Sequence, residues 1–182
     1  YECLSYTWGQ SAPSRVLWLD DNMITISDNL HSALFSLQLE DQPRLLWVDF
    51  VCINQMDLQE RNSQVQLMYD IFSTAKKVVA YLGHEADGSE RIPELLARIC
   101  AAHELTLNDA NLKKMHCMPW ALSPCGLPTS EDASWEVLRK FLSRPWFFRV
   151  WILQEALAAR KMDIMCGTWL ASADFIFSAL VI

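Results

Sequence analysis

The chain has 182 residues, of which 52% are hydrophobic, so its length and composition predict one globular domain with a substantial core. A formal net charge of -7 and a pI of about 5.0 argue against a nucleic-acid or anionic-membrane binder, because either would need a basic face. No apolar run approaches the roughly 20 residues of a membrane span.

The sequence begins at Tyr1 and not at methionine, which indicates a domain cut from a longer protein. Six cysteines without a C-x-x-C pair favour reduced, buried thiols in an intracellular protein. The metal alternative is a zinc site built from His103, His116, Cys117 and Cys125. Its spacing matches no standard zinc pattern, so we predict no metal site.

The first 43 residues predict a strand, a hairpin and a helix. "YECLSYTW" is rich in β-formers and ends at Gly9, while "RVLWL" and "MITIS" flank a turn at Asp20 to Asn22. A helix is predicted to begin at Ser27 or Asp28, because apolar residues follow at helical spacing: Leu30, Ala33, Leu34 and Leu37.

The next block predicts strand, helix and strand in succession. "RLLWVDFVCI" is a nearly continuous apolar run, as expected of a parallel strand covered on both faces. Asp57 and Glu60 are spaced as a capping box, and the helix that follows is predicted to reach about Ala75. Its predicted buried stripe is Val65, Met68, Ile71, Phe72 and Ala75. "KKVVAYLG" then predicts another strand.

Residues 84–131 contain four prolines and one clear helix, at about 91–105, so we predict an irregular insertion at the edge of the sheet. Beyond it the pattern predicts a helix at about 132–143, a second helix after Pro145, the strand "MDIMCG" and a terminal helix. This alternation predicts an α/β fold, a mostly parallel sheet flanked by helices with an added β-hairpin.

Polar side chains cluster where the strand "RLLWVDFVCI" is predicted to end. Asp49 lies within the apolar run, and Asn54, Gln55, Arg61 and Gln64 follow it. Ligands of open α/β sheets bind beyond the carboxyl ends of the strands, which favours a binding site here. The alternative is a purely structural network, in which Asp57 and Glu60 cap the helix and Arg61 pairs with Asp49 or another carboxylate.

A second constellation is "RPWFFRVWILQEAL", a nearly apolar helix that carries Glu155. Trp151 lies four residues earlier, on the same helical face. A carboxylate in such a setting has a perturbed pKa and is a functional candidate. The alternative is a buried ion pair of Glu155 with Arg149 or Arg61 that only stabilises the fold. The tryptophans nearby, Trp8 and Trp151 among them, either stack on a flat heterocycle or belong to the core.

Three blocks, "YECLSYTWG", "LWVDFVCINQMDLQERNSQVQLMYDIFSTAKKVVAYLG" and "RPWFFRVWILQEALA", resemble the fungal heterokaryon incompatibility (HET) domain in order and spacing. The resemblance implies a single HET domain over residues 1–182, with a variable insertion at 84–131. It also implies a cytoplasmic fungal protein that triggers cell death when non-self is recognised. The implied partners are copies of itself and sensor or adaptor regions, with no nucleic acid and no membrane span.

The HET domain is in turn remotely similar to TIR domains, which implies a TIR-like (flavodoxin-like) sheet. "YECLSYTWG" resembles the first strand and loop of a TIR domain, and "RVWILQEAL" resembles its helix with a Trp followed by a Glu. In TIR domains that hydrolyse NAD this Glu is catalytic, so the resemblance implies catalysis by Glu155, with NAD as substrate and no cofactor. The implied substrate-binding residues are Ser5, Tyr6, Trp8, Gly9, Asp49, Asn54, Gln55, Arg61, Gln64, Arg149 and Trp151.

The chemistry is consistent with one carboxylate. Nicotinamide leaves NAD as a good leaving group, so breaking its bond to ribose needs stabilisation of an oxocarbenium-like transition state and no strong acid. The competing hypothesis is a non-enzymatic module that signals by self-association. An open cleft beside Glu155, bordered by Trp8 and Asn54, would favour the enzyme, and a Glu155 sealed by an arginine would favour the module.

Overall fold

The computed structural model describes residues 1–9, 12–108 and 126–181. Its strands, in chain order, are β1 (Glu2–Tyr6), β2 (Arg15–Leu19), β3 (Asn22–Ile26), β4 (Leu46–Trp47), β5 (Val78–Tyr81), β6 (Met162–Cys166) and β7 (Trp169–Ser172). Its α-helices are α1 (Asp28–Ser36), α2 (Asp49–Cys52), α3 (Leu58–Thr74), α4 (Ile92–Asn108), α5 (Ala133–Leu142), α6 (Ile152–Ala158) and α7 (Ala173–Val181). Within these ranges, two 3₁₀ turns span Ser89–Arg91 and Pro145–Phe148.

Five strands form the main sheet in the order β4, β1, β5, β6, β7. β1 runs parallel to both β4 and β5, and β5 runs parallel to β6. β2 and β3 form a separate antiparallel hairpin. The predicted class, a mostly parallel α/β sheet flanked by helices with an added hairpin, is therefore confirmed.

The strands β5 and β6 are buried along their whole length, as expected of a parallel sheet flanked by helices. β5 is apolar throughout. β6 holds one charged residue, Asp163, which is buried and forms an ion pair with Lys77 (2.8 Å). One core cluster packs buried residues of β1, β3, β5, β6 and α1 together, with Leu4, Ile26 and Leu30 among its members, and Leu46 of β4 packs against it. This packing anchors the carboxyl end of β1, where the candidate site begins.

The prediction that "RLLWVDFVCI" is one long strand is wrong. Only Leu46–Trp47 is extended, and α2 follows at once. β4 lies at the edge of the sheet and pairs only with β1, so few ladder hydrogen bonds hold it extended. The Asp49 carboxylate also accepts a hydrogen bond from the Phe50 amide (2.7 Å), which favours a turn at this point. The strand β7 was not predicted from the sequence.

The start of α3 was predicted in part. Asp57 caps it by accepting from the Gln59 and Glu60 amides, at 2.9 and 3.1 Å. Glu60 does not complete a capping box, because the Asp57 amide already donates to the Asn54 carbonyl (3.1 Å). The Glu60 carboxylate instead accepts from the Asn54 amide (3.0 Å), which ties the preceding turn to the helix.

The predicted buried stripe of α3 holds only toward its end. Phe72 and the following Ala75 are buried, whereas Met68 and Ile71 are half-buried and Val65 is exposed. The first half of the helix therefore presents apolar side chains to open space.

Two compact units are present. The first comprises Tyr1–His84 and Pro145–Leu170, and the second comprises the described residues of Glu85–Arg144 and Ala171–Ile182, so the boundary falls within β7. The second unit contains α4, which confirms the helix predicted at about 91–105, as well as α5 and α7. That residues 1–182 form a single domain stays a prediction. His116, Cys117 and Cys125 of the zinc alternative lie outside the described residues.

Candidate functional site

A cavity of about 620 Å³ opens in the first unit, a volume typical of small-molecule sites. Most of the predicted site residues line it, namely Trp8, Gly9, Asp49, Gln55, Arg61, Arg149, Trp151 and Glu155. They come from the loop after β1, from α2 and the turn that follows, from α3, and from α6 and the segment that leads into it. The cavity thus lies beyond the carboxyl ends of the parallel strands β1 and β4, where the fold class predicts a ligand site.

Glu155 forms a buried part of the cavity wall and is 3% exposed. Its carboxylate accepts a hydrogen bond from the Ser5 hydroxyl and two from Arg149, at 3.2 Å to Oε1 and 3.5 Å to Oε2. Burial raises the pKa of Glu155 above its ordinary value, while Arg149 and Ser5 oppose the rise. Asp49 contributes to the rise through like-charge repulsion. Of the two predicted ion-pair partners, Arg149 is the one that the structure shows.

Ser5 is buried directly behind Glu155 and does not line the cavity. Its hydroxyl oxygen also accepts a hydrogen bond from the indole N–H of Trp146 (2.8 Å). Trp146 belongs to the 3₁₀ turn Pro145–Phe148 and is itself buried. A continuous chain of hydrogen bonds therefore runs from Trp146 through Ser5 to Glu155.

Asp49 is the second carboxylate of the cavity. Its Oδ2 accepts from the indole N–H of Trp8 (2.9 Å), and its Oδ1 accepts from the Phe50 amide (2.7 Å). The Tyr6 hydroxyl, which lies beneath the cavity, also shares a hydrogen bond with Asp49. Burial raises the pKa of Asp49, and these donors oppose the rise. Burial is also the main cause that raises the pKa of Tyr6, and the negative charge of Asp49 is the next largest cause.

Trp8 stands at the cavity mouth with 44% of its surface exposed. Its ring packs edge-on against Phe50, with centroids 5.5 Å apart and an interplanar angle of 84°. Gly9 follows at φ +81°, a left-handed conformation that glycine adopts without strain. The bond to Asp49 and the contact with Phe50 fix the indole at the cavity wall, so a flat ring that enters the cavity could stack on it.

Two further polar residues of the wall come from the turn after α2, at residues 54–57, and from α3. The side-chain amide of Gln55 donates to the Asp49 carbonyl (3.0 Å). Arg61 lies on the first turn of α3, and among the residues that the structure describes no carboxylate lies within ion-pair distance of it. The alternative in which Arg61 neutralises Asp49 or Glu155 is therefore not observed.

The structure does not bring every predicted site residue to the cavity surface. Ser5 and Tyr6 are buried behind it, and Gln64 is half-buried on α3 outside the lining. Asn54 faces away, because its side-chain oxygen accepts from the Met56 amide (3.1 Å) to close its own turn. Gln55, the next residue, takes the position at the rim that was predicted for Asn54.

Several wall residues were not predicted. Thr7, Ile53, Val65, Met68 and Pro145 also line the cavity. Val65 and Met68 continue the face of α3 that begins with Arg61, at spacings of four and three residues. The sequence signal was present, since a charged residue heads that apolar stripe, but the stripe was interpreted as core when it is partly cavity wall.

The described ranges hold neither a group of metal-ligating side chains nor a membrane-spanning helix. Within residues 1–9, 12–108 and 126–181, no three His, Cys, Asp or Glu side chains are grouped as metal ligands would be. In the same part of the chain, no helix has the length and apolar character needed to cross a bilayer.

The chain resembles a protein family and a fungal protein in sequence. A family model described as heterokaryon incompatibility protein (HET) matches residues 1–155. The chain is also 29% identical to heterokaryon incompatibility protein 6, OR allele, of Neurospora crassa, in an alignment that covers 92% of this chain and 28% of the relative. The chain thus spans little more than a quarter of the length of that relative. No solved structure matches it.

Proposed function

The chain belongs to the heterokaryon incompatibility (HET) family, and from this premise we propose that it is an effector domain that triggers cell death in fungal non-self recognition by hydrolysing NAD at the nicotinamide–ribose bond. One observation carries the proposal. A buried carboxylate, Glu155, forms part of the wall of an open cavity of about 620 Å³ whose mouth holds the exposed indole of Trp8. A carboxylate in such a setting is a functional candidate on physical grounds alone.

Glu155 suits the chemistry of glycosidic cleavage. As nicotinamide departs, positive charge develops on the ribose, and a fixed anion stabilises it most strongly where water is excluded. The hydrogen bonds from Ser5 and Arg149 favour the ionised form of Glu155 and fix its orientation. Water then adds to the ribose carbon, giving nicotinamide, ADP-ribose and a proton.

The remaining wall offers complementary groups for a dinucleotide. The indoles of Trp8 and Trp151 present flat apolar surfaces to the nicotinamide ring. Arg61 carries a positive charge that no described carboxylate neutralises, so it would attract a phosphate of the substrate. Arg149 is engaged with Glu155 and would serve mainly to hold that carboxylate.

Nicotinamide release from NAD tests the proposal directly. The purified protein, crowded or tethered into oligomers, is incubated with NAD, and Glu155→Gln is expected to lower the rate at least ~100-fold, the order of effect seen when a key electrostatic group is removed. Glu136→Gln is the matched control, since Glu136 also pairs with an arginine but lies on the exposed face of α5. Equal rates in wild type and Glu155→Gln, with both proteins folded, would contradict the assignment of Glu155.

A second candidate function is a non-enzymatic module that signals by self-association or by recruiting a sensor or adaptor region. It is favoured by the ion pair with Arg149 that covers the buried Glu155. It is also favoured by a run of exposed apolar side chains before and along α6: Phe148, Val150, Leu153 and Leu157. Cell killing separates the two functions. If Glu155→Gln still kills fungal cells while releasing no nicotinamide, the interaction module is the better account.

A further inference from the structure

We infer that Trp146 is a positioning residue for Glu155, acting through the Ser5 hydroxyl. The inference rests on the proposed function in that it explains how Glu155 is oriented for its task. It concerns a buried tryptophan that is not part of the cavity lining.

The number of donor protons on each group fixes the direction of both hydrogen bonds between Trp146, Ser5 and Glu155. An indole N–H only donates, so the Ser5 oxygen must accept from Trp146 at 2.8 Å. A serine hydroxyl has one proton, and with Trp146 on one side of the oxygen the proton is directed to Glu155 Oε2. Glu155 Oε2 is therefore an acceptor, which requires the carboxylate form or a proton placed on the other oxygen.

Burial makes this arrangement effective. Ser5, Trp146 and Glu155 are each at most 3% exposed, so bulk water does not compete for the bonds. Hydrogen bonds in a chain polarise one another when they are shielded from water. The ring of Phe147 packs edge-on against Trp146, with centroids 5.2 Å apart, and helps to fix the indole. Without the indole N–H, the Ser5 proton would no longer be committed to Glu155.

Several charged or titratable groups act on Glu155 besides this chain. Arg149 lowers its pKa from the segment before α6, and Asp49 on α2 raises it. The Cys3 thiol on β1 also interacts with Glu155, but burial raises the pKa of that thiol to about 12, so it is uncharged. Arg61 on α3 lines the same cavity. Changes at Ser5 and Trp146 leave all these groups in place. A shift in the Glu155 titration in these variants therefore reports only the hydrogen bonds that run from Trp146 through Ser5.

The carbon-13 titration of the Glu155 side-chain carboxyl group, followed by NMR, tests the inference. Ser5→Ala removes a donor to the anion and should raise the midpoint by about one pH unit. Trp146→Phe should raise it by about half a unit, because the Ser5 proton becomes free to turn away. The double variant should match Ser5→Ala alone, since Trp146 acts only through Ser5.

Two controls separate the indole N–H from packing. Phe147→Leu disturbs the ring beside Trp146 and keeps the N–H, so its midpoint should equal that of the wild type. Incorporation of β-(3-benzothienyl)alanine at position 146 replaces the N–H by sulfur in a ring of the same shape, so it decides the question if Trp146→Phe does not fold. An unchanged midpoint in this variant, or additive shifts in the double variant, would overturn the inference.

The same variants give a kinetic readout. If Glu155 acts as an anion, NAD cleavage is lost as the pH falls through its pKa, and the acid limb should move upward with the NMR midpoint. A midpoint shift without any NAD cleavage in the wild type would sink the proposed function and uphold the positioning role. Cleavage with an unmoved acid limb would overturn the positioning role and leave the proposed function standing.

Discussion

Glu155 and Arg149 form the central residue pair of the cavity, and their opposing effects determine how the site responds to pH. Burial raises the pKa of Glu155, so the folded protein binds that proton more tightly than the unfolded chain does. This contribution to stability is present at acid pH and is lost as the pH rises through the folded-state pKa. The pair therefore adds little net stability at neutral pH, because the cost of burying the carboxylate offsets its attraction to Arg149.

Arg149→Gln should reveal how much free energy it costs to bury the Glu155 carboxylate without a cationic partner. Without the guanidinium the pKa of Glu155 rises further, so the free energy of unfolding should fall by on the order of 2 kcal/mol at neutral pH. That is less than the ~3–5 kcal/mol known for fully buried pairs, because the Arg149 side chain is 20% exposed. The loss should shrink at acid pH, where Glu155 is protonated. Denaturant unfolding at both pH values measures it, with the surface variant Arg139→Gln as control; a loss independent of pH would contradict the assignment.

Arg61 should determine which substrates the cavity accepts. If it binds phosphate, nicotinamide mononucleotide should be cleaved with a kcat/KM about tenfold above that of nicotinamide riboside, which lacks the phosphate. Arg61→Gln should remove this preference and leave riboside cleavage nearly unchanged. Arg160→Gln, at an exposed arginine outside the cavity lining, is the control. Equal losses on both substrates in Arg61→Gln would contradict a phosphate-binding role.

At the residue scale the sequence predicted which side chains gather, but not how they pair. A carboxylate on an apolar helix identified Glu155 because an ionised group there needs partners. Whether Arg149 or Arg61 would meet it depends on how the 3₁₀ turn Pro145–Phe148 leads into α6, which sequence spacing does not report. The role of Trp146 was equally hidden, since most buried tryptophans are core.

At the scale of elements, the strongly patterned segments were predicted and the marginal ones were not. β5 and β6 were predictable because central strands are mostly apolar, although β6 carries one charged residue, Asp163. β4 was predicted too long, because an edge strand receives hydrogen bonds from one neighbour only and local bonding at Asp49 turns the chain into α2. That turn carries Asp49 to the cavity, so the same feature limited the prediction and built the site.

The N-cap of α3 supports both the helix and the site. Asp57→Ala removes the acceptor for two amides and should lower the free energy of unfolding by about 1 kcal/mol. Because Arg61 lies on the first turn, fraying there should raise the KM for NAD more than it lowers kcat. Asp57→Asn keeps a capping oxygen and is the control. A loss of stability in Asp57→Asn as large as that in Asp57→Ala would show that capping is not the cause.

For the whole molecule, the division into two units was not predictable from the sequence. The second unit joins residues before Arg144 to the terminal helix α7, and such long-range packing leaves no periodic signal. The cavity, by contrast, lies entirely within the first unit. Its position followed from the fold class, because loops beyond parallel strand ends share one edge of the sheet.

Self-association, which we propose for the signalling form, should depend on the apolar side chains of α6. Leu157 is 80% exposed. Burying such an exposed apolar side chain against a second copy of the protein would remove its apolar surface from water. Sedimentation of the wild type should show a molecular mass that rises with concentration, and Leu157→Asp should abolish the rise by adding a charge at the contact. Phe35→Asp changes a side chain on α1 that is 69% exposed and serves as control. A wild type that stays monomeric at all concentrations would contradict self-association. Equal effects of the two substitutions would show that the contact does not depend specifically on α6.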